Sequence, residues 1–474
     1  MSPESDRRGC GQLAAAVVLA ADFGRDVERR LTFLGGARRA LHAFPEARAA
    51  VAHAASATLR RAMAMAQRRR GAAGLGAAAH TKRSATFSRA CAAFLHVTIP
   101  AESDPLARCL LLQHAAETSL VCGCGPQADA MLRRAVAEVE GPAAEAAVEL
   151  QMRARVAMAG GGSGGAGGGA SSLPEQLRQL TVRAGRLLSG LAATAATFPG
   201  HPADGPLHLV RACLDATEAF PFEDEGPWRG KAAASCLRAC AALAQPRAPR
   251  CVAVLGVAGT HDLWAGDPAL EEEAAAVAER CVEVIMRCEQ AARAAATGGK
   301  EGGGDDWSLA RRRAAVRTAE ALDSVLSASG VSTRAAALAV HGLHDRIVSD
   351  CKALVQMESK GELFLPSGGP SAGSGSGEVD VAWRQAGGRK VSLVEWARDL
   401  TKALVRRADK ASKREQAAAA SVDAGGGVIQ ESKGDSLAEL AQGAAAALDD
   451  ASLLRRVAGK ARQRWMEAGL HQKR

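Results

Sequence analysis

Alanine-rich windows in which Leu and Val return every three or four residues run through most of this chain, while the alternating β-branched pattern of a half-buried strand is nearly absent. The combination predicts an all-α protein with no strand run. The stripe Val277, Cys281, Val284, Ile285, Cys288 and Ala292 lies on one face of a predicted helix at 269–296. Leu309, Val316, Leu322, Val325 and Leu326 do the same at 307–328. Neither stripe can bury itself alone, so each must stack on neighbours. No tetratricopeptide or ankyrin motif recurs at a fixed period, which leaves a HEAT-like α-solenoid of antiparallel helix pairs. Further helices are predicted at 12–34, 37–70, 84–98, 105–121, 126–158, 173–197, 206–219, 228–244, 332–358, 391–418 and 435–468.

The clearest punctuation lies between Phe87 and Glu140. Phe87 to Val97 is apolar on most sides, so a buried helix is expected, stopped by Pro100, which lacks a backbone donor. Asp104-Pro105 is a helix start, since the carboxylate can accept from free helix-end amides and Pro suits the first helical position. The helix holding Leu110, Leu111 and Leu112 ends at Gly123 and Gly125. From Pro126, residues Ala128, Met131, Leu132, Ala135, Val136 and Val139 form one stripe. Three short antiparallel helices with tight turns are a solenoid's building block.

A chain of 474 residues can form two or three globular domains or one elongated helical array. It has no Tyr, 3% aromatic residues and 50 Gly, a bias that weakens any argument from Gly-rich or Arg-rich patches alone. Flexible insertions are expected at 160–171, where ten residues from Gly160 are almost all Gly, at 297–306 and at Pro366 to Gly377. Ser172 and Glu175 have capping-box spacing for the helix that follows the first insertion. The 12 cysteines recur at helical intervals, as in Cys236 with Cys240, and suit a reduced apolar core. Arg7-Arg8 followed by the apolar run Leu13 to Ala21 imitates a signal peptide, but the run is too short to span a bilayer and continues into Asp22 to Asp26. A core helix is expected there.

Catalytic chemistry is not written in the chain. Gly298-Gly299-Lys300 is followed by Glu301, and Ala294 stands where a phosphate-binding loop needs its first Gly. His341 and His344 share a helix face and Cys122 and Cys124 lie close, yet neither pair completes a metal set. No glycine-flanked nucleophile appears. The expectation is no enzyme, no catalytic residue, no metal and no cofactor. A net charge of +9 with pI near 9.1 suits a solvated basic surface or an acidic partner. Leu393, Trp396, Leu400 and Leu404 form an apolar face backed by Arg398, Lys402, Arg406, Arg407 and Lys410, a pattern that can lie on an anionic membrane or an acidic partner. Together with Arg68-Arg69-Arg70 this supports an alternative reading, a basic helical module binding nucleic acid or an anionic membrane surface.

A series of short pieces occurs in order: Asp22 to Phe33, Val97 to Pro100, Gln127 to Ala130, Pro199 to Pro202, His208 to Arg211, Phe222 to Glu225 and Leu263 to Asp267. Their order and spacing resemble the C-terminal part of the vacuolar protein sorting-associated protein thirty-five-like family, the large subunits of retriever, a retromer-like endosomal recycling complex. The resemblance implies a non-enzymatic α-solenoid scaffold in endosome-to-plasma-membrane recycling and protein transport. It implies a metallophosphoesterase-fold partner of the vacuolar protein sorting twenty-nine type, contact with other retriever and associated endosomal subunits, and peripheral membrane association through that complex. Cytoplasm and endosome are the implied locations, with no nucleic acid as partner. The implied contact residues are those in the turns holding Phe222, Glu223, Asp224, Trp264 and Asp267. Family members are much longer than this chain. The expected organisation is a solenoid at 12–358, a linker at 359–390 and a basic helical tail at 391–474.

Overall fold

Helices start where the chain supplies a cap. The side chain of Asp26 accepts from the Arg29 amide at 2.9 Å, that of Thr81 from Ser84 at 3.2 Å and that of Asp104 from Leu106 at 3.0 Å. The computed structural model describes residues 3–70, 81–159, 172–198, 201, 203–222, 227–244, 264, 267–298, 304–327, 334–359, 383–386, 389–392 and 396–406. The chain divides into two compact units, one made of Met1–Phe222 with Gln245–Glu273, the other of Glu223–Ala244 with Ala274–Arg474.

The first unit contains α1 (Pro3–Ala20), α2 (Val27–Ala40), α3 (Pro45–Arg70), α4 (Lys82–Thr98), α5 (Pro105–Val121), α6 (Gly125–Glu138), α7 (Ala144–Ala159), α8 (Ser172–Ala195) and α9 (His208–Ala219). The helix expected over 12–34 is two helices. Asp22 Oδ1 accepts from the Gly24 amide at 3.1 Å, Gly24 takes a left-handed φ of 56°, and Asp26 caps the restart. The helix expected over 37–70 is likewise broken, between Ala40 and Pro45. From Gly125 to Ala159 the path stays helical, but a wide π turn at Val139–Ala143 accommodates Pro142, which has no amide to donate.

The α5–α6 pair is the most extensive helix contact of this unit. Gly123, at φ 73°, makes the bend, and Cys124 donates back to Ser119 at 2.9 Å. Across it Ser119 lies beside Met131, while Arg108 near the start of α5 binds Glu138 at the end of α6, as in an antiparallel hairpin. The stripe Ala128, Met131, Leu132, Ala135, Val136 and Val139 is buried throughout. Each large side chain so buried contributes about 1.5–3 kcal/mol. Helix α4 is buried on one side only, through Ser88, Cys91, Ala92 and Leu95, with Val97 outward. The expectation of a buried helix holds for that face alone. Helix α1 is also only half a core helix. Val18 is buried and Gly11 packs against the Glu46 carboxylate and Phe44, but Leu13, Val17 and Leu19 are exposed.

The second unit contains α10 (Trp228–Leu243), α11 (Pro268–Gly298, whose first residues belong to the first unit), α12 (Gly304–Ser327), α13 (Arg334–Ser359) and a helix over 396–406, α14. Val277, Cys281, Val284 and Ile285 on α11 and Leu322, Val325 and Leu326 on α12 are buried, as their spacing predicts. One expectation fails here. Strands β1 (Trp383–Ala386) and β2 (Arg389–Ser392) pair antiparallel, with Trp383 opposite Ser392 and Ala386 opposite Arg389. The sequence between them is Gly387-Gly388, a hairpin signal, so the helix expected from 391 does not include residues 391–392, and its described part is 396–406. The ends of the expected 297–306 insertion are helical as well.

The all-α class therefore holds, with consecutive antiparallel pairs of the HEAT-like solenoid kind. The expected insertion at 160–171, most of 359–390 and the helix expected at 435–468 lie outside the described residues. Among the described cysteines, all but Cys10 and Cys288 are buried, and all are free thiols. Among the described residues, no helix is long and apolar enough to cross a membrane.

Candidate interaction surface

Two of the recognised sequence pieces meet in space. Asp129 on α6 lies 3.2 Å from His208 Nε2 at the start of α9, and accepts from Arg133 at 2.7 Å. Arg133 also binds Asp204 at 2.7 Å. Burial alone would raise the Asp129 carboxyl, but the hydrogen bonds from His208 and Arg133 outweigh it and hold the group below its ordinary value. A second knot adjoins it. Glu273 binds Arg211 at 2.5 Å and accepts from the Leu207 amide at 3.1 Å. Gly205 has φ 98°, and a Cβ there would sit 2.8 Å from Glu273 Oε2, so only Gly fits. The Gln127–Ala130 and His208–Arg211 pieces are thus a packed polar joint, which positions α9 and the turn that follows it.

That turn is the Pro221–Phe222 corner. Phe222 is buried, 4.6 Å from the Phe220 ring, and Gln151 on α7 donates to the Pro221 carbonyl at 2.8 Å. Phe222 therefore anchors the turn from inside. Glu223 and Asp224 lie outside the described residues. Trp264 is half-buried, and its carbonyl accepts from the Asp267 amide at 3.1 Å. Asp267 is exposed and its carboxylate accepts from the Ala269 amide at 2.9 Å, capping the start of α11.

Helix α7, which holds the turn through Gln151, is inverted. It buries the small residues Ala144, Ala147 and Ala154 and exposes Val148, Met152 and Val156, which are 44%, 59% and 70% accessible at a spacing of four. Large apolar residues on the outer face, repeating with the helix, mark a surface that another body can cover. Sequence reasoning missed this stripe, because its periodicity is the same as that of a core face.

The basic helix behaves differently from its sequence reading. Trp396, Leu400 and Leu404 are buried, and the buried His344 lies 3.0 Å from Thr401 on the same helix. Trp396, Leu400 and Leu404 of the apolar face are thus used inside the second unit. Lys402 and Arg406 are exposed, Arg398 is half-buried, and Lys402 pairs with Asp399 at 3.6 Å. Arg407 and Lys410 lie outside the described residues. No group of three or more His, Cys, Asp or Glu among the described residues is placed to hold a metal ion.

A buried charge network in the second unit also escaped the sequence. Glu289 is almost wholly inaccessible and binds Arg293 at 2.5 Å, Thr318 at 2.8 Å and Arg346. Arg293 reaches on to Asp350. Burial alone would lower the Arg293 guanidinium, but Asp350 and Glu289 reverse this and raise it.

Stacked antiparallel helix pairs, one of them carrying an exposed apolar stripe, define an all-α protein with a surface that another body can cover. Residues 1–158 match the VPS35L C-terminal domain family. Among curated proteins, the chain is 23% identical over 292 residues to a VPS35 endosomal protein-sorting factor-like protein of Danio rerio, covering 60% of this chain and 26% of that protein. It is 22% identical over 273 residues to the Dictyostelium discoideum protein of the same kind, covering 58% and 24%, and 24% identical over 221 residues to that of Homo sapiens, covering 47% and 19%. The similarity to the VPS35L family's C-terminal part is thereby shown, and the chain spans about a quarter of these relatives' length.

Proposed function

We propose that this chain is a non-enzymatic scaffold subunit of a retriever-like complex in endosome-to-plasma-membrane recycling. Its relatives are named as endosomal protein-sorting factors, and the family match covers the helices that carry the exposed stripe. Its partner is a small subunit with a metallophosphoesterase fold, and the complex attaches peripherally to endosomes from the cytoplasm. The observation that carries the reading is the outward stripe Val148, Met152 and Val156, tied through Gln151 to the turn that the family resemblance singles out. Met and aliphatic side chains on a rigid helix suit an apolar protein partner, and they give nothing to a nucleic-acid backbone. Phe222 supports its turn from within, and the family resemblance assigns partner contact to Glu223, Asp224, Trp264 and Asp267.

Co-purification of the full chain with the phosphoesterase-fold subunit tests this. The wild-type chain should retain the partner through moderate salt, and a Met152→Glu, Val156→Glu pair should lose it. The charge reversals Glu223→Lys and Asp224→Lys should weaken it. Failure of the wild-type chain to bind, or equal binding by all variants, removes the proposed partner surface.

A further inference from the structure

A pocket of about 320 Å3 opens between α4 and the α5–α6 turn, lined by Ser88, Arg89, Cys122, Cys124 and Gln127 among others. Its volume is at the lower end of small-ligand clefts, roughly 300–1,000 Å3. Ser88, one of the lining residues, is 1% accessible, and its buried hydroxyl has no hydrogen-bond partner. An orphaned buried hydroxyl is uncommon and calls for an occupant.

The N-terminus of α6, a helix of 14 residues without a side-chain cap, also lines the pocket. Its first helical bond runs from Ala128 to the Cys124 carbonyl at 2.9 Å, so the Gly125 and Gln127 amides precede it, and Pro126 has no amide. The left-handed Gly123 makes the turn that leads into these amides. Such an end carries partial positive charge.

The surroundings have the same sign. Arg89 is the one charged side chain lining the pocket, and it is exposed without an ion pair among the described residues. Among the described residues, no carboxylate lines the wall. Burial pushes the Cys122 thiol up to about 12 and raises that of Cys124, so both stay neutral near pH 7, while Arg60 and Arg89 oppose the shift from nearby. Neutral thiols do not repel an anion.

We infer that this pocket binds an oxyanion of the phosphate type, held by the Ser88 hydroxyl, the free amides at the start of α6 and the Arg89 guanidinium. The site is independent of the partner surface on α7. Either could exist without the other.

The test is calorimetric titration of the full chain with inorganic phosphate against chloride of equal ionic strength. Saturable phosphate binding is expected, weakened about tenfold or more by Arg89→Glu, since charge-assisted hydrogen bonds contribute on that scale. Ser88→Ala should weaken it too, yet raise the thermal midpoint measured without phosphate, because it removes an unpaired buried hydroxyl. Arg89 is exposed, so its variant keeps the fold if Ser88→Ala does not. Vesicles containing a phosphoinositide in phosphatidylcholine separate the sources. Sedimentation with them that Arg89→Glu abolishes assigns the phosphate to a lipid headgroup, and phosphate binding without sedimentation assigns it to a soluble ligand. Absence of saturable phosphate binding, or equal binding by Ser88→Ala and Arg89→Glu, overturns the inference.

Discussion

The α5–α6 hairpin and the α11–α13 cluster solve the same packing problem in opposite ways. The hairpin buries an apolar stripe and keeps its charges at the ends, with Arg108 and Glu138 closing one end and Asp129 facing His208 at the other. The cluster places a nearly inaccessible carboxylate, Glu289, among Arg293, Arg346 and Thr318. The first arrangement tolerates loss of a partly exposed carboxylate such as Asp129. The second does not tolerate loss of Glu289, because a buried charge without its partners is strongly destabilising.

Substitution should expose this difference. Glu289→Ala leaves the Arg293 and Arg346 guanidiniums without their shared acceptor and should cost about 3–5 kcal/mol, read as a lower midpoint in chemical denaturation. Leu112→Ala in the hairpin opens a cavity in a fully buried position and should cost about 2–4 kcal/mol by the same measurement. A loss from Glu289→Ala smaller than from Asp104→Asn would break the contrast.

Smaller effects should appear with pH. Burial tends to raise Asp104 and Asp129, but Arg183 on the first, and His208 with Arg133 on the second, hold both below the ordinary 3.8. A carboxylate depressed by folding adds stability above its unfolded value, and that stability is lost as pH falls through the lower folded value. The wild-type chain should therefore lose stability below about pH 4, and Asp129→Asn and Asp104→Asn should each flatten that acid limb. Both variants should differ from wild type by about 1 kcal/mol at pH 7 and less at pH 3. The smallest effect is expected on α7, where Met152→Ser should change stability by about 0.5 kcal/mol or less, since the side chain faces outward.

The hairpin was legible because its punctuation and its stripe agree: Asp104-Pro105 starts α5, Gly123 turns the chain, and the three-then-four spacing on α6 marks the buried side. The break at Asp22–Asp26 was legible in principle, since Asp26 is a standard cap, but apolar residues on both sides masked it. Glu289 was not legible. A lone Glu on an amphipathic helix reads as solvent-facing until Arg346, distant in sequence, is seen to fold onto it. The α7 stripe was hidden for the reverse reason. Periodicity tells which residues share a face, and only the fold tells whether another helix covers it. Of the residues singled out by resemblance, Phe222 is internal support and Asp267 caps a helix, so the more accessible apolar surface lies one contact away, on α7.

The central claim is that α7 presents its large apolar face for a partner rather than for the core. The equilibrium affinity of the full chain for the phosphoesterase-fold subunit, measured beside the unfolding midpoint for wild type and for Met152→Glu with Val156→Glu, tests it most directly. The account predicts an affinity at least about tenfold weaker with an unchanged midpoint. An unchanged affinity, or a midpoint that falls in step with it, would contradict the claim.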